Sequence, residues 1–218
     1  EYGNIIHLGE RECSLQKNNQ KVLEEAPSIF LNKELREKMG KVAIDAAKAV
    51  NYKNVGTIEF LVDKNQNFYF MEMNTRIQVE HPITEMITDV DIVKEQLKIA
   101  SGIKLNLSQE DIKIQGHAIE CRINAKDAGT ISELNMPSGL GVRVDSAIYC
   151  GYTIPPFYDS MIAKLITYGK DREEAIIKMR RSLGEFAIGG VNTNIDFQYE
   201  ILEHQDFIDG NYDTSFLN

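Results

Sequence analysis

The chain has no tryptophan, only five prolines and only three cysteines in 218 residues. Cys13, Cys121 and Cys150 lie far apart and form no CxxC pair. Neither a disulfide framework nor a cysteine-rich zinc site is supported, and a reducing cytosol is the simplest compartment. No apolar run approaches the roughly 20 residues that a membrane-spanning helix needs, and the opening residues lack a basic-then-apolar leader pattern. The four histidines show no HxxxH or HxH spacing, and no GxGxxG or P-loop occurs; Gly139-x-Gly141 is a weak approach to one. Basic residues are also scarce, with 24 Lys and Arg against 33 Asp and Glu and a net charge of −9. A protein that coats nucleic acid needs the opposite balance, although a local basic pocket for a small anion stays open.

What is present is an ordinary globular profile, 43% hydrophobic and 26% charged, which excludes a disordered or collagen-like chain. The length allows one large domain or two modest ones. Opening at Glu1-Tyr2-Gly3-Asn4 without a starting Met, the chain reads as a fragment.

Local patterns give a mixed α+β organisation. A strand-like run covers 4–8, followed by a charged stretch around Glu10-Arg11-Glu12. Apolar Leu35, Met39, Val42, Ala46 and Ala49 recur at helical spacing, so 32–51 is expected to be a helix capped by Asn32. Two alternating runs at 56–63 and 68–72, separated by Lys64-Asn65-Gln66-Asn67, predict a β-hairpin. A helix is expected over 91–101, with Val93, Leu97 and Ala100 inward and Gly102 as its stop. Strands are expected at 116–124, 141–148 and 160–168. Asp171-x-x-Glu174 resembles a capping box for a helix burying Ala175, Ile176, Met179 and Leu183, and a last helix covers 194–203. The change of character near Gly116 divides the chain into 1–115 and 116–218.

The hairpin carries the most informative geometry. Counting outward from a four-residue loop at 64–67 sets Asp63 opposite Phe68 and, in the same register, Glu59 opposite Glu72. Directly opposed side chains share a face with Cβ atoms roughly 4.5–5.5 Å apart. Two carboxylates so placed repel, whereas a divalent cation between them attracts both, and all-oxygen ligation favours Mg²⁺ or Mn²⁺. The plainer alternative has both side chains pointing to water, or another register. Flanking Ile58, Phe60, Met71 and Met73 point to buried strands, where carboxylates need a charged partner.

If the chain stays extended after Glu72, residues Glu72, Asn74, Arg76, Gln78 and Glu80 face one way and Met73, Ile77 and Val79 face the core. Arg76 offers a planar fork to a carboxylate, bicarbonate or phosphate, Gln78 can orient an oxyanion, and Glu80 can take a proton. A metal pair continuing into an anion-binding strip fits phosphoryl-transfer chemistry. The alternative is a solvated polar face on an edge strand.

The run Phe70-Met71-Glu72-Met73-Asn74-Thr75-Arg76-Ile77-Gln78-Val79-Glu80-His81-Pro82 resembles the biotin carboxylases of the ATP-grasp superfamily. The resemblance continues through Thr84-Glu85-Met86-Ile87-Thr88, His117-Ala118-Ile119-Glu120-Cys121-Arg122-Ile123-Asn124-Ala125, Gly141-Val142-Arg143 and Tyr158-Asp159-Ser160-Met161. Upstream, Gly9-Glu10-Arg11-Glu12-Cys13-Ser14-Leu15-Gln16 and Gln20-Lys21-Val22-Leu23-Glu24-Glu25-Ala26-Pro27 also match. The implied fold is the C-terminal lobe of an ATP-grasp domain, an antiparallel sheet with helices, followed by the family's C-terminal α+β domain.

The implied activity is that of a ligase. ATP phosphorylates bicarbonate to carboxyphosphate, which collapses to CO₂ and phosphate; the phosphate removes the N1′ proton of biotin, and the enolate attacks CO₂. The resemblance assigns Mg²⁺ or Mn²⁺ to Glu59 and Glu72 with Asn74 assisting. It assigns bicarbonate to Lys21, Arg76, Gln78 and the Val79 backbone, with Glu80 as general base and Arg143 at the biotin enolate. Gln16, Leu61 and Ile188 would line the nucleotide site. It further implies a biotin carboxyl carrier protein, a carboxyltransferase component and a homodimer, most often within acetyl-CoA carboxylase when the subunit stands alone. Another ATP-grasp carboxylate or carbamate ligase is the enzymatic alternative, and a non-catalytic binding or dimerisation module is the alternative from another class.

Two departures stand out. Asn19 takes the place of a family histidine that contacts the nucleotide. After Asp127 the chain runs directly into Ala128-Gly129-Thr130, about seven residues short where the family carries a Pro-Ser-Pro-Gly loop; either the loop is deleted or a mobile segment is missing from the sequence, at a kind of site where disorder concentrates. The family's N-terminal domain and Gly-rich lid are expected upstream of Glu1, so the chain alone is expected to show little turnover. Of the remaining candidates, His81 reads as a packing or hydrogen-bonding residue, Cys121 as a buried inert thiol, and Pro155-Pro156 as a turn.

Overall fold

In the computed structural model the described residues are 3–18 and 20–217. Their order is β1 (Glu12–Lys17), β2 (Gln20–Ala26), α1 (Lys33–Ala49), β3 (Thr57–Val62), β4 (Phe68–Asn74), α2 (His81–Thr88), α3 (Ile92–Ala100), β5 (His117–Asn124), β6 (Gly129–Thr130), β7 (Glu133–Asn135), β8 (Val142–Ser146), β9 (Thr153–Ile154), β10 (Met161–Gly169), α4 (Arg172–Glu185), β11 (Ala187–Gly189), α5 (Ile195–Glu203) and α6 (Gln205–Asp209). They form two compact units, one running to Arg11 and over Pro27–Gln115, the other comprising Glu12–Ala26 and the chain from Gly116 onward.

In the first unit, Asn32 caps α1 by accepting from the Leu35 amide at 2.8 Å, and Leu35 and Met39 pack with Leu31, Phe60, Val62 and Phe68. The stripe does not stay buried along the whole helix: Val42 and Ala49 are exposed. In α3 the inward face also differs from expectation. Val93, Leu97 and Ala100 point outward and Ile92 is the buried residue. The helix carries two apolar stripes, and its first turn is anchored by the Glu85 carboxylate, which accepts from the Ile92 amide at 2.8 Å. The run 4–8 is not a strand. Its polar groups bond to single groups of a loop instead, with Asn4 Nδ2 donating to the Leu107 carbonyl at 2.9 Å and the His7 amide to Gln109 Oε1 at 2.9 Å.

The second unit is built on a five-stranded antiparallel sheet in the order β1-β2-β5-β10-β8. Leu23, Cys121, Leu165 and Val144 are register neighbours on the face covered by Ala175, Ile176, Met179 and Leu183 of α4 and Ile201 and Leu202 of α5. One residue along, Glu24, Glu120, Ile166 and Arg143 line up on the opposite face, with Arg122, Lys164 and Asp145 beside them. Asp171 caps α4 by accepting from the Glu174 amide at 2.9 Å. The division expected at 115/116 places 12–26 in the first piece, whereas β2 pairs with β5 and joins the hairpin to the second. That pairing is non-local, so nothing in the hairpin's own sequence announces it.

Glu25 on β2 is fully buried and accepts from His117 Nε2 at 2.5 Å, from Arg172 Nε at 2.7 Å and Nη2 at 3.1 Å, and from the Tyr212 hydroxyl. Arg172 also donates to the Phe207 and Ile208 carbonyls, both at 2.8 Å, so one ion pair joins the sheet to the end of α6. Burial alone would raise the Glu25 pKa; the His117 and Arg172 contacts outweigh it and hold the carboxyl below its ordinary value. A depressed folded pKa means that this stabilisation is complete above about pH 4.5 and drains as pH falls through the folded value. Arg172→Met is therefore expected to cost about 3–5 kcal/mol in urea denaturation at pH 7, because the partner charge stays buried. The gap from the parent protein is expected to narrow in acid as Glu25 protonates.

Candidate active site

The β3–β4 hairpin sets the first carboxylates. Its turn is organised by Asp63, whose side chain accepts from the Asn65 and Asn67 amides at 2.9 Å each, while its own amide donates to the Asn67 carbonyl at 2.9 Å. The turn therefore spans 63–67, one residue longer than expected, and Val62 rather than Asp63 lies opposite Phe68. A bulge then leaves Met71 without a partner, and Glu59 comes to face Glu72. The expected opposition is present, reached through a register that differs at the turn and is restored by the bulge. Bulges re-aim side chains in this way beside functional sites.

The extended strip expected from Glu72 to Glu80 ends early. β4 stops at Asn74, residues 75–80 are irregular, and Glu80 sits at the N-cap of α2 with φ −81° and ψ 14°. Pro82, at the start of α2, has its φ already set for a helix and ends the extension. The polar residues are nonetheless gathered by hydrogen bonds. Asn74 Nδ2 donates to Glu72 Oε1 at 2.8 Å and Glu59 Oε1 at 3.1 Å. Gln78 Nε2 donates to Glu59 Oε1 at 2.5 Å, and Arg76 donates to Asn74 Oδ1 and the Ile77 carbonyl, both at 3.1 Å. Gln78 and Glu80 are 6% and 2% exposed, so this end of the network is shielded from bulk water. His81 Nδ1 lies 2.8 Å from the Gln78 carbonyl, in a hydrogen-bonding role.

This donor set suits a hard divalent cation. Two carboxylates converge on one amide nitrogen, the place where a positive charge is best accommodated, while Asn74 Oδ1 is turned to Arg76 and would become a third oxygen only with the amide turned over. Among the described residues, no group of three or more His, Cys, Asp and Glu is placed to hold a metal, so two carboxylates and an amide are the relevant set. Leu61 lies on the same hairpin, opposite Tyr69, and is 54% exposed.

Val79 lies half-buried in the turn before α2, and the remaining expected site residues belong to the second unit. Lys21 is the register partner of Gln16 across β1–β2, and Gln16 Nε2 turns back to the Cys13 carbonyl at 2.9 Å. Ile188 on β11 is half-buried against the apolar clusters of that unit. Asn19 lies outside the described residues. Arg143 forms a two-point ion pair with Asp145, Nε to Oδ1 at 2.7 Å and Nη2 to Oδ2 at 2.8 Å, and Lys164 Nζ stands 3.4 Å from the same carboxylate. Burial would raise the Asp145 pKa, but Arg143 and Lys164 together hold it below its ordinary value. Cys121 is fully buried, and burial followed by Glu24 and Glu120 pushes its thiol well up, which suits an inert core residue.

Sequence reasoning passed over three of these groups. Asp145 is two residues from Arg143 on a predicted strand, so strand periodicity could have placed both on one face. Lys164 requires the β8–β10 register. Arg11, which contacts Gln78, had no local signal beyond its motif.

Residues 1–108 match the family model of the carbamoyl-phosphate synthase L chain ATP-binding domain, and 120–218 match that of the biotin carboxylase C-terminal domain. Biotin carboxylase 1 of Bacillus subtilis is 58% identical, over 99% of this chain and 50% of its own length. The biotin carboxylase of Nostoc sp. is 56% identical, over 99% of this chain and 50% of its own. The chain belongs to the biotin carboxylase family. A solved biotin carboxylase domain, the dimer of Hydrogenobacter thermophilus 2-oxoglutarate carboxylase with MgADP, ADP and bicarbonate, superposes with a TM-score of 0.97 at 51% identity, covering 99% of this chain and 49% of that one. The chain thus spans about half the length of the biotin carboxylases it matches. Its alignment with the Bacillus protein runs to 225 positions against 218 residues here, so at least seven positions have no counterpart in this chain.

If a divalent cation sits between the opposed carboxylates, replacing either by its isosteric amide removes one charged oxygen from the site. Glu59→Gln and Glu72→Gln are each expected to weaken Mn²⁺ binding, followed by electron paramagnetic resonance, on the order of tenfold or more. An unchanged titration in both would exclude this hairpin as the metal site.

Proposed function

We propose that this chain carries the metal-, bicarbonate- and biotin-handling side of a biotin carboxylase, which carboxylates biotin on a carrier protein at the expense of ATP. The observation that carries the reading is the hydrogen-bonded set Glu59, Glu72, Asn74, Arg76 and Gln78, in which opposed carboxylates lead directly into cationic and amide donors. Relatives named for biotin, pyruvate and 2-oxoglutarate carboxylases match at comparable identity, which supports the half-reaction they share.

Mg²⁺ bound at Glu59 and Glu72 would neutralise charge on the ATP phosphates during phosphoryl transfer to bicarbonate. Arg76 and Gln78 would orient bicarbonate, since a guanidinium cannot lose its charge at neutral pH and an amide NH₂ donates to an oxyanion. Lys21 and the Val79 backbone would add donors. Glu80, held at the start of α2 and nearly excluded from solvent, would take the bicarbonate proton. The carboxyphosphate formed then releases CO₂ and phosphate, and phosphate deprotonates biotin. Arg143, with one edge of its guanidinium engaged by Asp145, would stabilise the enolate oxygen that develops. Gln16, Asn19, Leu61 and Ile188 are the proposed nucleotide contacts.

We extend the same reading to a carrier protein, a carboxyltransferase component and a second copy of the chain as partners, the last supported by the dimeric Hydrogenobacter domain. A cytoplasmic setting fits three free cysteines, and no helix among the described residues is long and apolar enough to cross a membrane. A carbamate ligase shares the first family model, but the biotin carboxylase C-terminal model over 120–218 favours biotin as acceptor.

In the full-length protein, Glu80→Gln is expected to lower bicarbonate-dependent ADP release by about 10²–10⁴-fold while MgATP binding persists. Arg143→Met is expected to impair biotin-dependent turnover far more than ATP binding. Full turnover in Glu80→Gln would overturn the general-base role.

A further inference from the structure

Arg11 precedes the β1 strand and makes three side-chain hydrogen bonds to three parts of the first unit. Nη1 donates to Thr84 Oγ1 on α2 at 2.9 Å, and Nη2 donates to Thr57 Oγ1 on β3 at 3.1 Å and to Gln78 Oε1 at 2.5 Å. The two threonines fix the guanidinium against rigid elements, and its remaining contact reaches the irregular segment that follows β4. At the other end of the same amide, Gln78 Nε2 donates to Glu59 Oε1 at 2.5 Å.

An amide held in this way has only one acceptable orientation. Turning Gln78 over would set its NH₂ against a guanidinium, which has no acceptor, and its carbonyl against a carboxylate, which has no donor. Both contacts would be repulsive, in a place that is 6% exposed and offers little water to relieve them. Of the two restraints, the one from Glu59 is shared with metal binding, because a carboxylate turned toward a divalent cation no longer has its charge available to the amide. The one from Arg11 is permanent, since guanidinium stays charged at any working pH.

We propose that Arg11 is a positioning residue for bicarbonate: it fixes the Gln78 carbonyl so that the amide keeps this orientation, with its NH₂ available to the anion, when Glu59 turns to metal. The inference rests on reading Gln78 as a bicarbonate contact. Arg11 acts through Gln78 and touches no reacting atom.

A double-mutant cycle in the full-length protein tests it, with bicarbonate KM and ATP KM measured separately for Arg11→Met, Gln78→Ala and the pair. Arg11→Met is expected to raise bicarbonate KM by about tenfold or more with ATP KM unchanged. In the Gln78→Ala background the same substitution is expected to add nothing, because the group it positions is gone. An Arg11→Met effect of equal size in both backgrounds, or an equal rise in both KM values, would show a general structural role and overturn the proposal. If Gln78→Ala alone leaves bicarbonate KM unchanged, the bicarbonate reading of Gln78 itself fails, and the positioning role with it. Should Arg11→Met fold poorly, Arg11→Lys provides the second reading. It keeps the charge but not the fork, so a bicarbonate-specific KM rise is expected, and an unchanged bicarbonate KM would overturn the proposal.

Discussion

Two like charges held directly opposite each other across a hairpin are the constraint on which the first unit is arranged. Glu59 and Glu72 repel, and the hairpin gains nothing from the pairing itself. The surrounding groups make it tolerable. Asn74 bridges the two carboxylates, Gln78 donates to Glu59, and Arg76 and Arg11 bring positive charge to the other ends of those two amides. Each amide is thereby polarised, with its nitrogen toward a carboxylate and its oxygen toward a guanidinium. A divalent cation entering such a set would replace amide dipoles with a full charge. The bulge at Met71 is part of the same arrangement, because without it the register at the turn would set Glu59 opposite Met71.

The second unit separates its duties by face. One side of its sheet is apolar and covered by α4 and α5; the other carries Glu24, Glu120, Arg122, Lys164, Asp145 and Arg143 in register across four strands. Burying charge on a central sheet is costly unless the charges are paired, and here Arg122 meets Glu24 while Arg143 and Lys164 share Asp145. Pairing also stiffens the guanidinium of Arg143, so a long flexible side chain arrives with one edge already fixed. The Glu25–His117–Arg172–Tyr212 cluster does the equivalent structural work, tying β2 to β5 and to the chain after α6.

Much of this organisation is legible in local pattern. Helix caps at Asn32 and Asp171 can be read because a short polar side chain before a periodic run has one favourable place to accept from a free backbone N–H. The opposition of Glu59 and Glu72 follows from counting residues outward from a turn, although the real turn is one residue longer than its composition suggests and a bulge restores the match. Less local features are not legible. The run 4–8 has strand composition but is held by the Leu107 carbonyl and the Gln109 side chain, about a hundred residues away. Which stripe of α3 turns inward is not written in the helix itself, and the approach to the helix at 81–88 has the pattern of a continuing strand because its polar alternation persists to Glu80.

Residue types and short-range spacing by themselves determined the chemistry available here: paired carboxylates, an amide and guanidinium strip, and a family motif long enough to name. Tertiary structure alone decided which of those groups share hydrogen bonds. It turned Arg11 onto Gln78 across 67 positions of sequence, and it moved the 12–26 hairpin into the sheet of the second unit. The physical reason is the range of the forces involved. Capping, turn formation and side-chain alternation act over a few residues and are written in them. Strand pairing between distant segments and the fit of a buried guanidinium depend on what the rest of the chain brings alongside.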